Sequence, residues 1–411
     1  MKVYHILFIV ALFVFSIVSE EQKCENVVVR KNILDISSDE WENIKRVVNL
    51  MYQDGWFDKF AKIHVDAFKN VHGCPVFLPF HRLITRKFEM VGQTYDKNFF
   101  IPYWDSAKDF AKPESSKVLN EQYLGGNGNK ENGSCVENGF QASWKLSYPS
   151  EHCLKRVFNG ENNSMKPWFP PETITSFIQT SKNFDDFRQN IELTIHGVVH
   201  LGFGGEMTSF HSPNDFVFMV HHSNIDRIWT KWQNANTTNS VMYDGTNKNS
   251  EKAMLSDIME YFNVSVQSVF TLGQGDMCYS YDDIIPINKL NTVEKSLNTR
   301  PIFYKSRLSE NSTEYRNLNI LSKSLRNKYF PALEYESLNP NSFDMPAPTF
   351  PKQMNSFDKR NSYKEMPIPE FPPLPWINMH GYKVNEVERV VGRARSLISE
   401  LNSNNYRSPY Y

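Results

Sequence analysis

The sequence predicts a mainly α fold with long loops and a C-terminal extension. Three features carry this expectation. Apolar residues recur at helical spacing between Ser38 and Gln233, residues 112–170 are rich in Gly, Asn, Ser and Pro, and the chain changes character after residue 283. The 411 residues carry a formal net charge of −1 and 14% aromatics. With no long basic run, nothing argues for a nucleic-acid partner.

The opening "MKVYHILFIVALFVFSIVS" reads as a secretory signal over residues 1–19, with Lys2 before an apolar run and small Ser19 before "EEQ". The apolar stretch is short for a membrane anchor and lacks a basic stop-transfer flank. No other window is long and apolar enough to span, so the mature chain is expected to be secreted. Secretion permits disulfides, but the five cysteines are an odd number, which leaves at least one unpaired. Sequons at Asn132, Asn162, Asn236, Asn263 and Asn311 suggest a glycoprotein.

Next comes a core, residues 20–282. "SDEWENIKRVVNLMY" reads as an amphipathic helix with a Ser/Asp cap. In "WFDKFAKIHVDAFKNV", Phe57, Phe60, His64, Phe68 and Val71 share one helical face. "HGCPVFLPFHR" sets His72 and His81 nine residues apart with two prolines between them. One helix would point those rings to opposite sides, whereas a loop followed by a helix opening at Pro79 can aim both at one atom. "NFDDFRQNIELTIHGVVHLGF" is helical from about Asp185 and puts His196 and His200 on one face. In "SPNDFVFMVHHSNIDRIWTKWQ", Ser212 caps, Pro213 takes the first position and His222 lies one helix on. "NVSVQSVFTLGQGDMCYSYDD" closes the core with β-like alternation. Residues 283–411 form an extension, proline-rich over 339–375 and ending in a helix with a stripe of Val384, Val387, Val391, Ala394, Ile398 and Leu401.

The chemistry-bearing pattern is two groups of histidines, drawn from distant parts of a chain with only 11. Each group offers three imidazoles, and buried imidazoles need partners for their ring nitrogens. Nitrogen donors suit copper, iron or zinc. Zinc hydrolases commonly add a carboxylate or thiolate, so two all-histidine trios in a secreted chain favour a copper pair.

"HGCPVFLPFHR", "IPYWD", "HGVVHLGFGGEM" and "SPNDFVFMVHHSNIDRIW" closely resemble the tyrosinase family of type-3 copper proteins, from about Val29 to Tyr281. The resemblance implies a four-helix bundle enclosing a dinuclear copper site. It also implies oxidation of phenols or catechols to o-quinones with dioxygen, and uses such as melanin-type pigment formation. By matching position, His64, His72 and His81 would hold one copper ion and His196, His200 and His222 the other, with His221 a neighbour. Glu192 matches a glutamate that in many members holds a water. Gly197 stands where strong hydroxylating members often have Asn, so catechol oxidation is expected to exceed monophenol hydroxylation. Phe210, or a neighbour on its loop, matches a gate over the second copper. Some members link a cysteine to the second histidine of the first trio, but Cys74 follows His72 by two residues instead of preceding it, so that linkage is not carried over. "CYSYDD" resembles the stretch that ends the core in fungal members, and a C-terminal segment covers the site in several members. Arg82 and Asp226, each near a ligand, are expected to pair, Asp105 to orient a neighbour, and Phe77, Phe80, Trp104 and Trp229 to be core. The competing readings are a dioxygen carrier like molluscan hemocyanin, a protein with a decayed site, and a zinc-loaded member.

Overall fold

The computed structural model describes residues 24–284, 318, 321–333 and 364–411. The expected signal at 1–19, the sequon at Asn311 and most of the proline-rich stretch lie outside the described residues. Helix α1 (Ser38–Gln53) starts on a capping box in which Ser37 and Glu40 satisfy each other's backbone N–H groups. Helices α2 (Trp56–Val71) and α3 (Phe77–Tyr95) are separated by a break that ends α2 at His72 in extended conformation. The second half of the site comes from α4 (Pro171–Thr180), α5 (Phe184–Asn190), a π-helical segment Ile191–His196, α6 (Gly197–Phe203) and α7 (Phe216–Ala235). Helix α3 packs along α7 at the centre of the molecule.

Two expectations shift locally. Ser212–Asn214 form a separate 3₁₀ turn, and Asp215 is the cap of α7, its side chain accepting from the Val217 N–H at 3.0 Å. A carboxylate at that point satisfies an orphan amide and faces the positive helix end. The region 263–283 alternates in sequence but holds only the strands Val264–Ser265 and Tyr279–Tyr281 with a helical turn, Gln267–Phe270, between them. Tyr279–Tyr281 pairs in parallel with Val28–Arg30, and a Cys24–Cys278 disulfide lies beside this pairing. The segments around residues 28–30 and 279–281 therefore close on each other.

The expected loop region 112–170 holds only 3₁₀ turns and the two-residue strands Lys145–Leu146 and His152–Cys153, tied by the Cys135–Cys153 disulfide. Among the described residues Cys74 is unpaired. Its buried thiol donates to the Asn70 carbonyl, and burial pushes its pKa up to about 12.

The interior is joined by ion pairs as well as apolar packing. Arg82 of α3 bonds Asp226 of α7 at 2.5 Å, and Asp226 also accepts from the Tyr279 and Tyr281 hydroxyls, each at 2.6 Å. Asp105 pairs with Arg227 and Lys108, which hold its carboxyl down at about 2 against the opposing cost of burial. Phe77, Phe80, Trp104 and Trp229 are buried as expected.

The extension ends in a helix, Val384–Ser403, that packs on α4, α5 and the π-helical segment. Its buried stripe is Val387, Val390, Val391, Ala394, Leu397, Ile398 and Leu401, whereas Val384 is exposed. Each fully buried aliphatic side chain there contributes about 1.5–3 kcal/mol of apolar burial. No helix among the described residues is long and apolar enough to cross a membrane.

Candidate metal centre

His64 lies on α2, His72 just after it and His81 in the second turn of α3. Their ring nitrogens all lie within 4.8 Å of one another, and all three side chains are buried. Each Nδ1 donates to a carbonyl: His64 to Phe210 (2.7 Å), His72 to Phe68 (3.0 Å) and His81 to Phe77 (2.8 Å). A carbonyl only accepts, so each Nδ1 carries the proton and each Nε2 presents a lone pair. His64 and His81 keep a buried Nε2 with no partner among the described residues. Such an atom costs free energy unless something binds it.

His196, His200, His221 and His222 form a second buried group with ring nitrogens within the same 4.8 Å. His196 ends the π-helical segment, a local widening of the kind frequent at functional sites. His200 Nδ1 donates to the Met207 carbonyl at 2.6 Å. His200 Nε2 and His222 Nε2 face each other at 3.4 Å, and the buried Nε2 of His196 has no partner among the described residues. The two groups meet: the His81 and His222 rings stack with centroids 4.3 Å apart, and Phe77 wedges against both His81 and His196. His222 therefore faces the first group, while His221 stacks on His196 behind it.

Burial dominates the protonation of these rings. It holds His64 down at about 3 and His200 at about 4, and moves His72, His81, His196, His221 and His222 the same way. Neutral imidazoles with inward lone pairs are the donor set that a borderline metal requires. Copper fits these residues on the evidence of their unpartnered Nε2 atoms.

Glu192 is wholly buried and burial raises its pKa, opposed by the Arg188 ion pair at 2.7 Å. Its other oxygen accepts from the Gly73 N–H at 2.7 Å and from the Tyr382 hydroxyl at 2.9 Å. Tyr382 belongs to the extension, so a phenol of the chain itself hydrogen-bonds Glu192, the residue to which the resemblance gives a water. Two more residues of the extension close in. The His380 ring lies 5.1 Å from that of His72, and the Trp376 ring 5.8 Å from that of His200. A Cβ on Gly197 would meet the Trp376 indole nitrogen at 3.7 Å. Phe371 is exposed and takes no part.

Phe210 is placed differently from expectation. Its ring rests on Phe68, at 4.6 Å, on the side of the first group, and its carbonyl orients His64. The ring against the second group from within the core is Phe218, 4.2 Å from His222. The loop length sets this: Gly204 and Gly205, both at positive φ, turn the chain back beside Val157 and Lys155 before it reaches Phe210.

The scaffold is helical and brings together two facing histidine clusters, each of which could hold a metal ion. Residues 54–235 match the tyrosinase family in its "common central domain of tyrosinase". Tyrosinase of Streptomyces lincolnensis is 28% identical over 232 residues, 51% of this chain and 84% of that one. The tyrosinase-like protein phomQ2 of Diaporthe leptostromiformis is 27% identical over 294 residues, 64% and 75% of the respective chains. Among solved structures, polyphenol oxidase from Thermothelomyces thermophila aligns with a TM-score of 0.47 at 19% identity, covering 62% of this chain and 88% of its own. A functional unit of octopus hemocyanin aligns at 0.42 and 20% identity, covering 62% and 68%. Residues 54–235 of the chain thus carry a domain that matches the tyrosinase family, and its curated relatives are tyrosinases.

Proposed function

We propose that this chain is a secreted copper oxidase that converts catechols, and more slowly phenols, to o-quinones with dioxygen, and that its own C-terminal segment keeps it latent. The observation that carries the reading is the convergence of two buried histidine trios, joined where His81 stacks on His222. His64, His72 and His81 would hold one copper ion, and His196, His200 and His222 a second. Such a pair, when bound, exchanges two electrons with dioxygen and with the phenol.

The chain's own residues do the rest. Phe77 and Phe218 pack against His196 and His222 and give the site apolar walls. Glu192, whose carboxylate pairs with Arg188, is a candidate proton acceptor beside the site once Tyr382 withdraws. Gly197 offers no side chain to polarise a water on Glu192. A monophenol must lose its proton before its ring is attacked, so its conversion is the slower reaction. Trp376, His380 and Tyr382 stand over the approach and exclude a phenolic ring. Secretion is supported by two disulfides and by the exposed sequon residues Asn132, Asn162 and Asn263.

The test compares the copper-loaded full-length protein with Trp376→Ala and Tyr382→Phe, each supplied with a catechol and its monophenol. The reading expects faster quinone formation in the opened variants, with the catechol ahead. Dioxygen binding without quinone formation in every protein would favour a hemocyanin-like carrier instead. Point variants are the cleaner probe. Ending the chain near residue 285 would also strip the buried stripe of the terminal helix from α4 and α5.

A further inference from the structure

Outside the two histidine trios, the loop beside them carries a third convergent group. His152, Glu206 and His211 place one ligand atom each within 4.8 Å of the others. Glu206 is buried, while both histidines are only partly covered. His152 Nε2 lies 2.9 Å from one carboxylate oxygen and His211 Nε2 3.1 Å from the other. His152 Nδ1 lies 2.6 Å from the Ser150 carbonyl. That carbonyl can only accept, so Nδ1 of His152 carries a proton. A neutral His152 then points a lone pair at a carboxylate oxygen, which is also an acceptor. Something positive must lie between them, either a second proton on the ring or a metal ion.

We propose that the group is a binding site for a zinc-class divalent ion, held by His152, Glu206 and His211 with one position left to water. Two imidazoles and one carboxylate are an established zinc ligand set. The Nδ1–H to carbonyl bond of His152 is the outer contact that fixes a ligating tautomer. Hydrogen-bond separations near 3 Å need only a small spreading of the rings to admit an ion with metal–ligand distances of about 2.0–2.2 Å. Asn214 Nδ2, 3.4 Å from Glu206, further holds the carboxylate in place.

The placement gives the ion a task. Glu206 precedes Met207, whose carbonyl orients His200, and His211 follows Phe210, whose carbonyl orients His64. His152 sits beside the Cys135–Cys153 disulfide on the other side. The ion clips one short loop, which orients one histidine of each trio, to a cross-linked hairpin. The site does not depend on the copper reading, but its effect on the trios does.

The full-length protein, with copper content measured first, is dialysed against Zn²⁺ and then against Co²⁺, alongside His152→Asn/His211→Asn and Glu206→Gln. The wild type is expected to retain one zinc per chain beyond the metal held by the trios, and to develop the visible absorption of low-symmetry Co²⁺. The variants are expected to bind that extra ion at least tenfold more weakly at unchanged copper content. A copper-filled wild type that gains neither zinc nor the Co²⁺ absorption overturns the proposal without recourse to any variant and leaves the group a proton-bridged cluster. Equal extra zinc in folded wild type and variants, judged by circular dichroism, also overturns it. Failure of the copper reading would be seen separately, in the initial copper content.

Discussion

The two histidine trios are built from different local structure. In the first, every Nδ1 is committed to a backbone carbonyl at 2.7–3.0 Å, two of them from the residue four positions earlier. In the second, only His200 has such a bond at short range. His196 reaches its carbonyl at 3.3 Å, and the buried Nδ1 of His222 has no partner among the described residues. The first trio therefore has all three rings oriented by backbone carbonyls, while in the second only His200 is held that way at short range and His222 is held by the packing of Phe218 and His81. The lesson is that chemically identical donor sets can be oriented by different means, one by backbone hydrogen bonds and the other largely by packing.

The largest expected effect breaks the comparison outright. His81→Gln and His222→Gln sit on the two stacked rings, and each is expected to abolish catechol oxidation and lower bound copper, measured by metal analysis. Full copper and activity in either variant would remove that ring from the ligand set. Next is the strut between the trios. Asp226→Asn leaves Arg82 buried beside a neutral partner, and loss of a buried pair costs about 3–5 kcal/mol, read as a lower denaturant midpoint. Trp376→Ala opens the side of the second trio, although the ring also packs on His380 at 3.8 Å; it is expected to raise catechol turnover roughly tenfold, for a covered state that holds about nine-tenths of the population. An equal gain from opening the first-trio side with His380→Ala would show that the cover acts uniformly.

The remaining effects are smaller. The Asp105 carboxyl is held down at about 2 by Arg227 and Lys108. Its folded pKa is below the unfolded one, so it stabilises the fold above about pH 4, and the benefit is lost as pH falls towards 2. Asp105→Asn is expected to remove about 2 kcal/mol at neutral pH and to flatten acid unfolding over that window. Cys74, with its thiol pKa pushed up to about 12, is expected to resist alkylation in the folded protein and to react once unfolded.

Sequence carried the helical residues well and the rest unevenly. His64 and His72 on either side of a helix end, His196 and His200 one turn apart, and Arg82 opposite Asp226 all follow from periodicity or from motif resemblance, and the structure brings them together. The π-helical turn at Ile191–His196 left no mark in the apolar pattern, because widening a helix by one residue does not change which residues are apolar. Phe210 was misplaced because its position depends on how two glycines reverse the chain, not on spacing. The cover was only half visible. The stretch from Phe371 to Trp376 and the terminal stripe marked a segment that could dock, but spacing did not reveal that His380 and Tyr382 reach His72 and Glu192. The His152–Glu206–His211 group was invisible because its members come from a loop strand and two turns, and converge only in space.

The most direct test of the account is the copper content of the full-length protein together with its electron paramagnetic resonance. Six histidines in two facing trios predict two copper ions per chain, with most of the oxidised copper silent because the paired spins couple. One ion per chain, or two that both give the full signal of isolated copper(II), would contradict a shared dinuclear centre.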